Sequence, residues 1–212
     1  VVDYFELPFV SNSDLGALRK EIYGIVEIPN LQFHFAFGSL VDAMLTEPPE
    51  VIEFCRNDYD FTKDHLDMAD KMVDYCLKDP LIPLVLKKMV GQHVYIRTMD
   101  FEHDGFEFKM KCRCKFDLYS KLMKMALDFK TLSVSTHNAF IASIDHFDYD
   151  RQAAFYMDLA RIDRFWIVGI SKLNNKIFKL AIERDDDTYK SGRDKYMYWG
   201  KKYFDMVYNL KL

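Results

Sequence analysis

The chain lacks most of what marks secreted, membrane or disordered proteins. Cysteine occurs only four times in 212 residues, at Cys55, Cys76, Cys112 and Cys114. None forms a C-x-x-C pair, and no Cys/His group has zinc-finger spacing. A disulfide scaffold and a zinc ribbon are therefore not expected, and reduced core thiols are. No apolar run approaches the ~18 residues of a membrane span. No basic segment followed by an apolar stretch marks a signal peptide. No membrane contact and a cytoplasmic location are expected from these absences. The chain opens on Val1, as a processed or trimmed start would. With 6 prolines and 8 glycines there is no low-complexity linker, and no internal repeat is visible. An excess of basic charge is missing too. The 29 Lys and Arg residues face 33 Asp and Glu residues, for a net charge of −4. That excludes a protein that coats polyanions indiscriminately.

What is present is ordinary globular composition, 50% hydrophobic and 16% aromatic. The length suits one domain, 1–212, able to bury roughly 70% of its unfolded surface. Residues 1–90 read as a helical N-terminal part, and 91–212 as a sheet core with a C-terminal helix. Ser11-Asn12-Ser13-Asp14 before Leu15, Leu18 and Ile22 is a capped helix start. Helices are expected over 38–46, stopped by Pro48-Pro49, over 62–77, and from Pro80 to Met89. His93 to Phe101 reads as a strand. Residues 106–118 alternate strictly, with Phe106, Phe108, Met110, Cys112, Cys114, Phe116 and Leu118 on one face. A second strand spans Met125–Thr131. Helices follow from Ser135 or Thr136 to His146 and from Asp150 to Arg161. Strands at Phe165–Ser171 and Ile177–Ile182 are joined by a turn at Asn174-Asn175. A last helix carries the stripe Tyr196, Trp199, Tyr203, Met206 and Leu210. This order implies an α/β (α+β) domain with a mixed central sheet flanked by helices.

Charge is unevenly spread. Residues 1–86 carry −10, residues 87–131 carry +4, and residues 132–212 carry +2. In the basic segment Lys109, Lys111, Arg113 and Lys115 fall on one strand face with Asp117. Such a row is either a solvated face or a groove that tracks a phosphate backbone.

Asp128 and Lys130 share a face of the second strand, opposite Leu127 and Phe129. If that strand pairs with 106–118 as a hairpin, Asp117 and Asp128 lie side by side. Adjacent carboxylates repel unless a cation joins them, and oxygen ligands suit Mg²⁺ or Mn²⁺. Lys130 beside that ion would orient a water and could accept a proton. The D-x-K triplet alone is weak, since it arises by chance about once in a few hundred residues. A surface ion pair is the plain alternative. Asp42, amid Phe35-Ala36-Phe37 and Ala43-Met44-Leu45, is either a buried carboxylate that needs a partner or the wet stripe of a helix. Gly38, one turn earlier, would admit close approach of a backbone. Tyr149, Gln152 and Tyr156 share a helix face at i, i+3 and i+7. The group could bind a phosphate or a water, or simply be polar-tipped core.

Together these pieces resemble the PD-(D/E)xK nuclease superfamily, and more narrowly its exonuclease VIII-like phage and prophage branch. Val10-Ser11-Asn12-Ser13-Asp14-Leu15 is similar to the family's opening segment. Gly38-Ser39-Leu40-Val41-Asp42 resembles its G-x-x-x-H helix, with Asp in place of His. Lys115-Phe116-Asp117 keeps only the Asp of an R-P-D segment. Asp128-Phe129-Lys130-Thr131 matches the D-x-K-T core, and Tyr149-x-x-Gln152-x-x-x-Tyr156 resembles the Q-motif helix. The five occur in the family's order and with similar spacing.

The resemblance implies a restriction-endonuclease-like core and Mg²⁺- or Mn²⁺-dependent hydrolysis of phosphodiester bonds in linear double-stranded DNA. It implies Asp42, Asp117 and Asp128 as metal ligands, with Asp117, Asp128, Lys130 and Gln152 catalytic. DNA contacts would fall to Lys109, Lys111, Arg113, Lys115, Tyr149 and Tyr156. No cysteine quartet of the iron–sulfur relatives is present, so no Fe–S cluster is expected. A homo-oligomeric ring and a single-strand annealing protein as partner, in phage-type recombination, are further implications. An endonuclease of the same superfamily and a non-catalytic DNA-binding or assembly module remain the alternatives.

Overall fold

The computed structural model of the chain describes residues 4–25 and 29–208. It is an α+β fold built on one mixed five-stranded sheet. Five helices come first: α1 (Asn12–Tyr23), α2 (Leu31–Thr46), α3 (Pro49–Asn57), α4 (Lys63–Lys78) and α5 (Ile82–Lys88). Strands β1 (Val90–His103), β2 (Phe106–Ser120) and β3 (Met125–Leu132) follow. Then come α6 (His137–His146), α7 (Tyr149–Ala160), β4 (Arg164–Ser171), β5 (Ile177–Glu183) and α8 (Asp187–Tyr203), which ends in a π-helical turn at Phe204–Tyr208.

The strands lie in sequence order across the sheet. Only β3 and β4 run parallel, joined by the α6–α7 crossover, while the other neighbours are antiparallel. One face of the sheet carries α1, α6, α7 and α8 over Met110, Cys112, Cys114, Phe116 and Phe165. The other carries α2, α4 and α5 over Leu118, Leu127, Phe129, Val168 and Ile170. Leu127 and Phe129 thus fill the second layer, and Asp128 between them is turned toward the first.

Local chemistry explains most helix ends. Ser11 caps α1 in a reciprocal box with Asp14, whose Oδ2 accepts the Ser11 N–H at 2.8 Å. Thr62 and Thr136 cap α4 and α6 with their side chains. Two elements differ from expectation. Helix α2 begins at Leu31, and its added turns bring Phe33 and Phe37, one turn apart, edge-on against Phe61. Helix α3 is an addition: Pro49 occupies its first turn, where the missing N–H is free of cost, so Pro48-Pro49 both ends one helix and starts the next.

The alternation over 106–118 also breaks near its end. Phe116 packs under α7 and α8, yet Leu118 packs under α2, α4 and α5. The β1–β2 ladder matches His93 with Phe116 and Gly91 with Leu118, leaving Gln92 and Asp117 unmatched between them. At Gln92 the backbone is left-handed, with φ 50°. That kink resets which face the next side chain takes. In the last helix Tyr196 and Trp199 are buried, but Met206 is 50% exposed because the chain has entered the π turn; Leu210 lies outside the described residues. No helix among the described residues is long and apolar enough to cross a membrane.

Helix α7 is held against α8 by a close backbone approach at Gly192. A Cβ there would stand 2.0 Å from the carbonyl oxygen of Asp150. Gly192→Ala is therefore expected to force the two helices apart and to cost about 3 kcal/mol or more, read by urea unfolding.

Candidate active site

Asp128 sits in the middle of β3, facing α7, and is 3% exposed. A carboxylate this buried needs partners. Gln152, in the first turn of α7, donates its amide to Oδ1 at 2.7 Å. Lys130, two residues along the same strand face, brings Nζ to 2.5 Å from Oδ2. That contact is an ion pair lying off hydrogen-bond directions, so Oδ2 has no properly directed donor. The Lys130 ammonium also lies 5.1 Å from the ring centre of Tyr149, three residues before Gln152.

Asp117 arrives from β2. The β2–β3 ladder runs only from Ser120↔Met125 to Leu118↔Leu127. Asp117 and Asp128 would be the next pair, but the strands part there. The Asp117 Oδ2 accepts the Phe129 N–H at 2.7 Å, so a side chain replaces the lost ladder bond. The expected side-by-side placement thus arises where the hairpin opens.

Asp42 comes from α2. Its Oδ2 accepts the Gln92 amide at 2.8 Å and its Oδ1 accepts the Thr46 hydroxyl at 3.3 Å. Gly38 stands against a side chain, not a backbone: a Cβ there would meet the Thr131 hydroxyl at an ordinary 3.6 Å.

The three carboxylates feel one another. Burial first, then the charges of Asp128 and Asp42, push the Asp117 carboxyl well above the usual carboxylate range, against Lys130 and the Phe129 N–H. Burial also pushes Asp42 up to about 6; the Gln92 hydrogen bond opposes this, Asp128 adds to it, and Lys115 and Lys130 oppose it. For Lys130, burial disfavours the ammonium, but Asp128 and Asp117 outweigh burial and raise its pKa. With no cation beside it, Lys130 holds its proton next to these carboxylates.

Among the described residues no three His, Cys, Asp or Glu side chains are gathered so that they could hold a metal ion. The expected cage of Asp42, Asp117 and Asp128 is therefore not assembled among them; Asp42 is held instead by the Gln92 amide on Oδ2. What remains is the Asp117–Asp128 pair, with one Asp128 oxygen lacking a directed donor. This donor set suits a hard cation such as Mg²⁺, which takes one or two carboxylates and fills its other positions with water.

The basic row does not form one groove. Lys109 pairs with Asp100 at 2.9 Å on the exposed end of the hairpin. The segment before α1 lies along β2, with Val10 bridging to Cys112. It consumes the next two cations. Lys111 sits 4.1 Å from the Phe9 ring centre, and Arg113, 8% exposed, donates to the Phe9 carbonyl at 2.9 Å and also to that of Tyr4. Lys115 alone faces the site, 4.0 Å from Glu47 and close enough to influence Asp42. Tyr156 is likewise a core residue, 8% exposed, packed edge-on against Phe116 and Phe165. Its helix face dips under the sheet layer, so it offers DNA no surface, whereas Tyr149 stays half-buried beside Lys130.

Sequence reasoning missed Gln92 and Thr46. The signal for the first was Gly91, an isolated glycine in a strand pattern, which marks a kink or a close backbone approach.

The family model described as a PDDEXK-like domain of unknown function (DUF3799) matches residues 28–205. The search of curated proteins finds no match. Among solved structures, the chain is similar to a phage-related exonuclease from Haemophilus somnus 129PT, at 16% identity over 93% of this chain and 95% of that one, with a TM-score of 0.41. It is also similar to SSO0001, at 16% identity over 91% and 93% of the two chains, with a TM-score of 0.37. A third is LHK-Exo in complex with dAMP, at 13% identity over 85% and 96%, with a TM-score of 0.36.

A carboxyl with a raised folded-state pKa binds its proton more tightly folded than unfolded. Stability then falls as pH climbs from 3.8 through about 6 for Asp42. In EDTA, Asp42 is expected to remove on the order of 3 kcal/mol of stability over that rise. Asp42→Asn should flatten this part of the slope in urea unfolding run at several pH values.

Proposed function

The chain belongs to the PDDEXK-like DUF3799 family, and on that footing we propose that it is a divalent-metal-dependent deoxyribonuclease. The observation that carries this reading is the buried Asp128, held by Lys130 and Gln152 next to Asp117. A structural ion pair would not need a second carboxylate turned toward it in the same buried space. Repulsion of that kind is retained where a cation and a phosphate come to relieve it.

In this mechanism Asp117 and Asp128 would hold Mg²⁺ or Mn²⁺. The ion, when bound, supplies charge neutralisation at the scissile phosphate and lowers the pKa of an attacking water. Lys130 serves as a fixed cation. Its ammonium, anchored by Asp128 and flanked by Tyr149, offers a positive charge to the negative charge that develops on the phosphate. Gln152 keeps the Asp128 carboxylate in one orientation. Lys115, at the edge of the site, is the member of the basic row best able to meet a neighbouring phosphate.

The finer form of the proposal is an exonuclease on linear double-stranded DNA that serves phage-type recombination. Support for it comes from the five ordered segments that resemble the exonuclease VIII-like branch. A ring-shaped oligomer and a single-strand annealing partner belong to that finer form.

The test uses linear and covalently closed circular duplex DNA with Mg²⁺ or EDTA. Linear DNA should disappear in Mg²⁺ alone while circles survive. Asp128→Ala should lower the rate by at least ~10²-fold, the scale of a lost electrostatic group in an active site. Lys130→Ala should do the same with folding intact. Cutting of closed circles would make the protein an endonuclease. No cutting with Mg²⁺ or Mn²⁺, but retained DNA binding, would make it a non-catalytic module.

A further inference from the structure

We propose that Gln92 is a positioning residue of the candidate site, acting through Asp42. The inference rests on the nuclease reading of that site.

Seven non-glycine residues among those described have positive φ. Asn30, Asp148 and Arg161 lie at helix caps. Asp104, Lys124 and Asn175 lie in the turns between β1 and β2, β2 and β3, and β4 and β5. Gln92, at 50°, is the one placed inside a strand. A left-handed backbone is disfavoured for any residue with a Cβ, and such residues gather at functional sites where the surroundings hold them.

The surroundings here are specific. Gly91 lies so close to the C-terminal end of α2 that a Cβ on it would stand 2.8 Å from the Thr46 carbonyl oxygen. The kink at Gln92 then aims its amide back at the same helix. Its Nε2 donates to Asp42 Oδ2 at 2.8 Å and to the Thr46 hydroxyl at 2.7 Å. The Thr46 hydroxyl is anchored in turn on the Asp42 backbone carbonyl at 2.8 Å. One amide hydrogen thus fixes the Asp42 carboxylate, and the other ties Gln92 to the same helix turn.

That carboxylate is the second charge felt by Asp117, after Asp128. The kink also falls across the strand from Asp117, where the β1–β2 ladder skips a pair. One residue thus links the helix that carries Asp42 to the strand position that carries Asp117. A hydrated divalent ion on Asp117 and Asp128 presents water hydrogens that need acceptors. A carboxylate held beside the pair, but not in it, is suited to accept them. Outer partners of this kind commonly change metal affinity or activity 10- to 100-fold, by the general behaviour of second-layer groups.

The test compares the full chain with Gln92→Gly, Asp42→Asn and the double variant. Glycine accepts a positive φ freely, so Gln92→Gly removes the amide while leaving the kink available. Mn²⁺ affinity is read by electron paramagnetic resonance of the free ion, with kcat and KM on linear duplex DNA and Tm in EDTA alongside. Gln92→Gly should fold, weaken Mn²⁺ binding by about 10-fold, and lower kcat similarly with KM for DNA within about twofold. Asp42→Asn should do the same, and the double variant should be no worse than either single one. Wild-type Mn²⁺ affinity in a folded Gln92→Gly protein, or additive losses in the double variant, would overturn the proposal. Should Gln92→Gly fail to fold, Gln92→Asn, which tolerates the left-handed backbone but carries a shorter amide, takes its place under the same criteria. If the wild type binds Mn²⁺ but cuts nothing, the nuclease reading fails and Gln92 is judged on affinity alone. If the wild type binds no Mn²⁺, both fall.

Discussion

Where β2 and β3 part, two carboxylates face the same buried space, and the protein supplies them with one lysine. Asp128 carries the lysine and a glutamine; Asp117 takes only a backbone N–H. Burial first, and then the charges of Asp128 and Asp42, push the Asp117 carboxyl upward. The rest of the molecule can be understood as what is needed to hold this imbalance in place. The sheet keeps β3 between two apolar layers, which buries Asp128 and leaves Lys130 only partly exposed. The α6–α7 crossover delivers Gln152 and Tyr149 over the strand. Helix α8 pins α7 through Gly192. Under the proposed function, burial that is costly for the folded chain alone would become useful once a cation and a phosphate completed the charge balance.

The charge distribution of the chain takes on a different meaning in this light. The +4 of residues 87–131 suggested a continuous basic track. In the folded protein much of that charge is structural. Arg113 and Lys111 hold the segment before α1 against β2, and Lys109 steadies the far end of the hairpin. Lys130 and Lys115 are the members of that segment that lie beside the carboxylates.

The parts of this arrangement that could be read from sequence are those governed by local periodicity. Period-two alternation placed Asp128 and Lys130 on one face, and helical spacing placed Tyr149 with Gln152. Capping residues located the starts of α1 and α6. What stayed hidden depends on partners distant in the chain. Nothing near Arg113 announces that Tyr4 and Phe9 will take it, and nothing near Tyr156 announces Phe116 and Phe165 above and below it. Alternation predicted Leu118 on the face of Phe116, but the ladder skips Gln92 and Asp117 and Leu118 lies in the other layer. Asp42 was legible as a carboxylate in an apolar helix. Its actual partners, Gln92 and Thr46, were not, because one of them is 50 residues away.

The central claim is that Asp117 and Asp128 form a divalent-cation site because their repulsion needs a cation to relieve it. Anomalous diffraction from crystals equilibrated with Mn²⁺ tests it most directly, since the scattering locates the ion whatever the protein's activity. One peak bonded to both Asp117 and Asp128 is the predicted result. Saturating Mn²⁺ that leaves no peak there, or that binds only at another cluster of acidic residues, would contradict it.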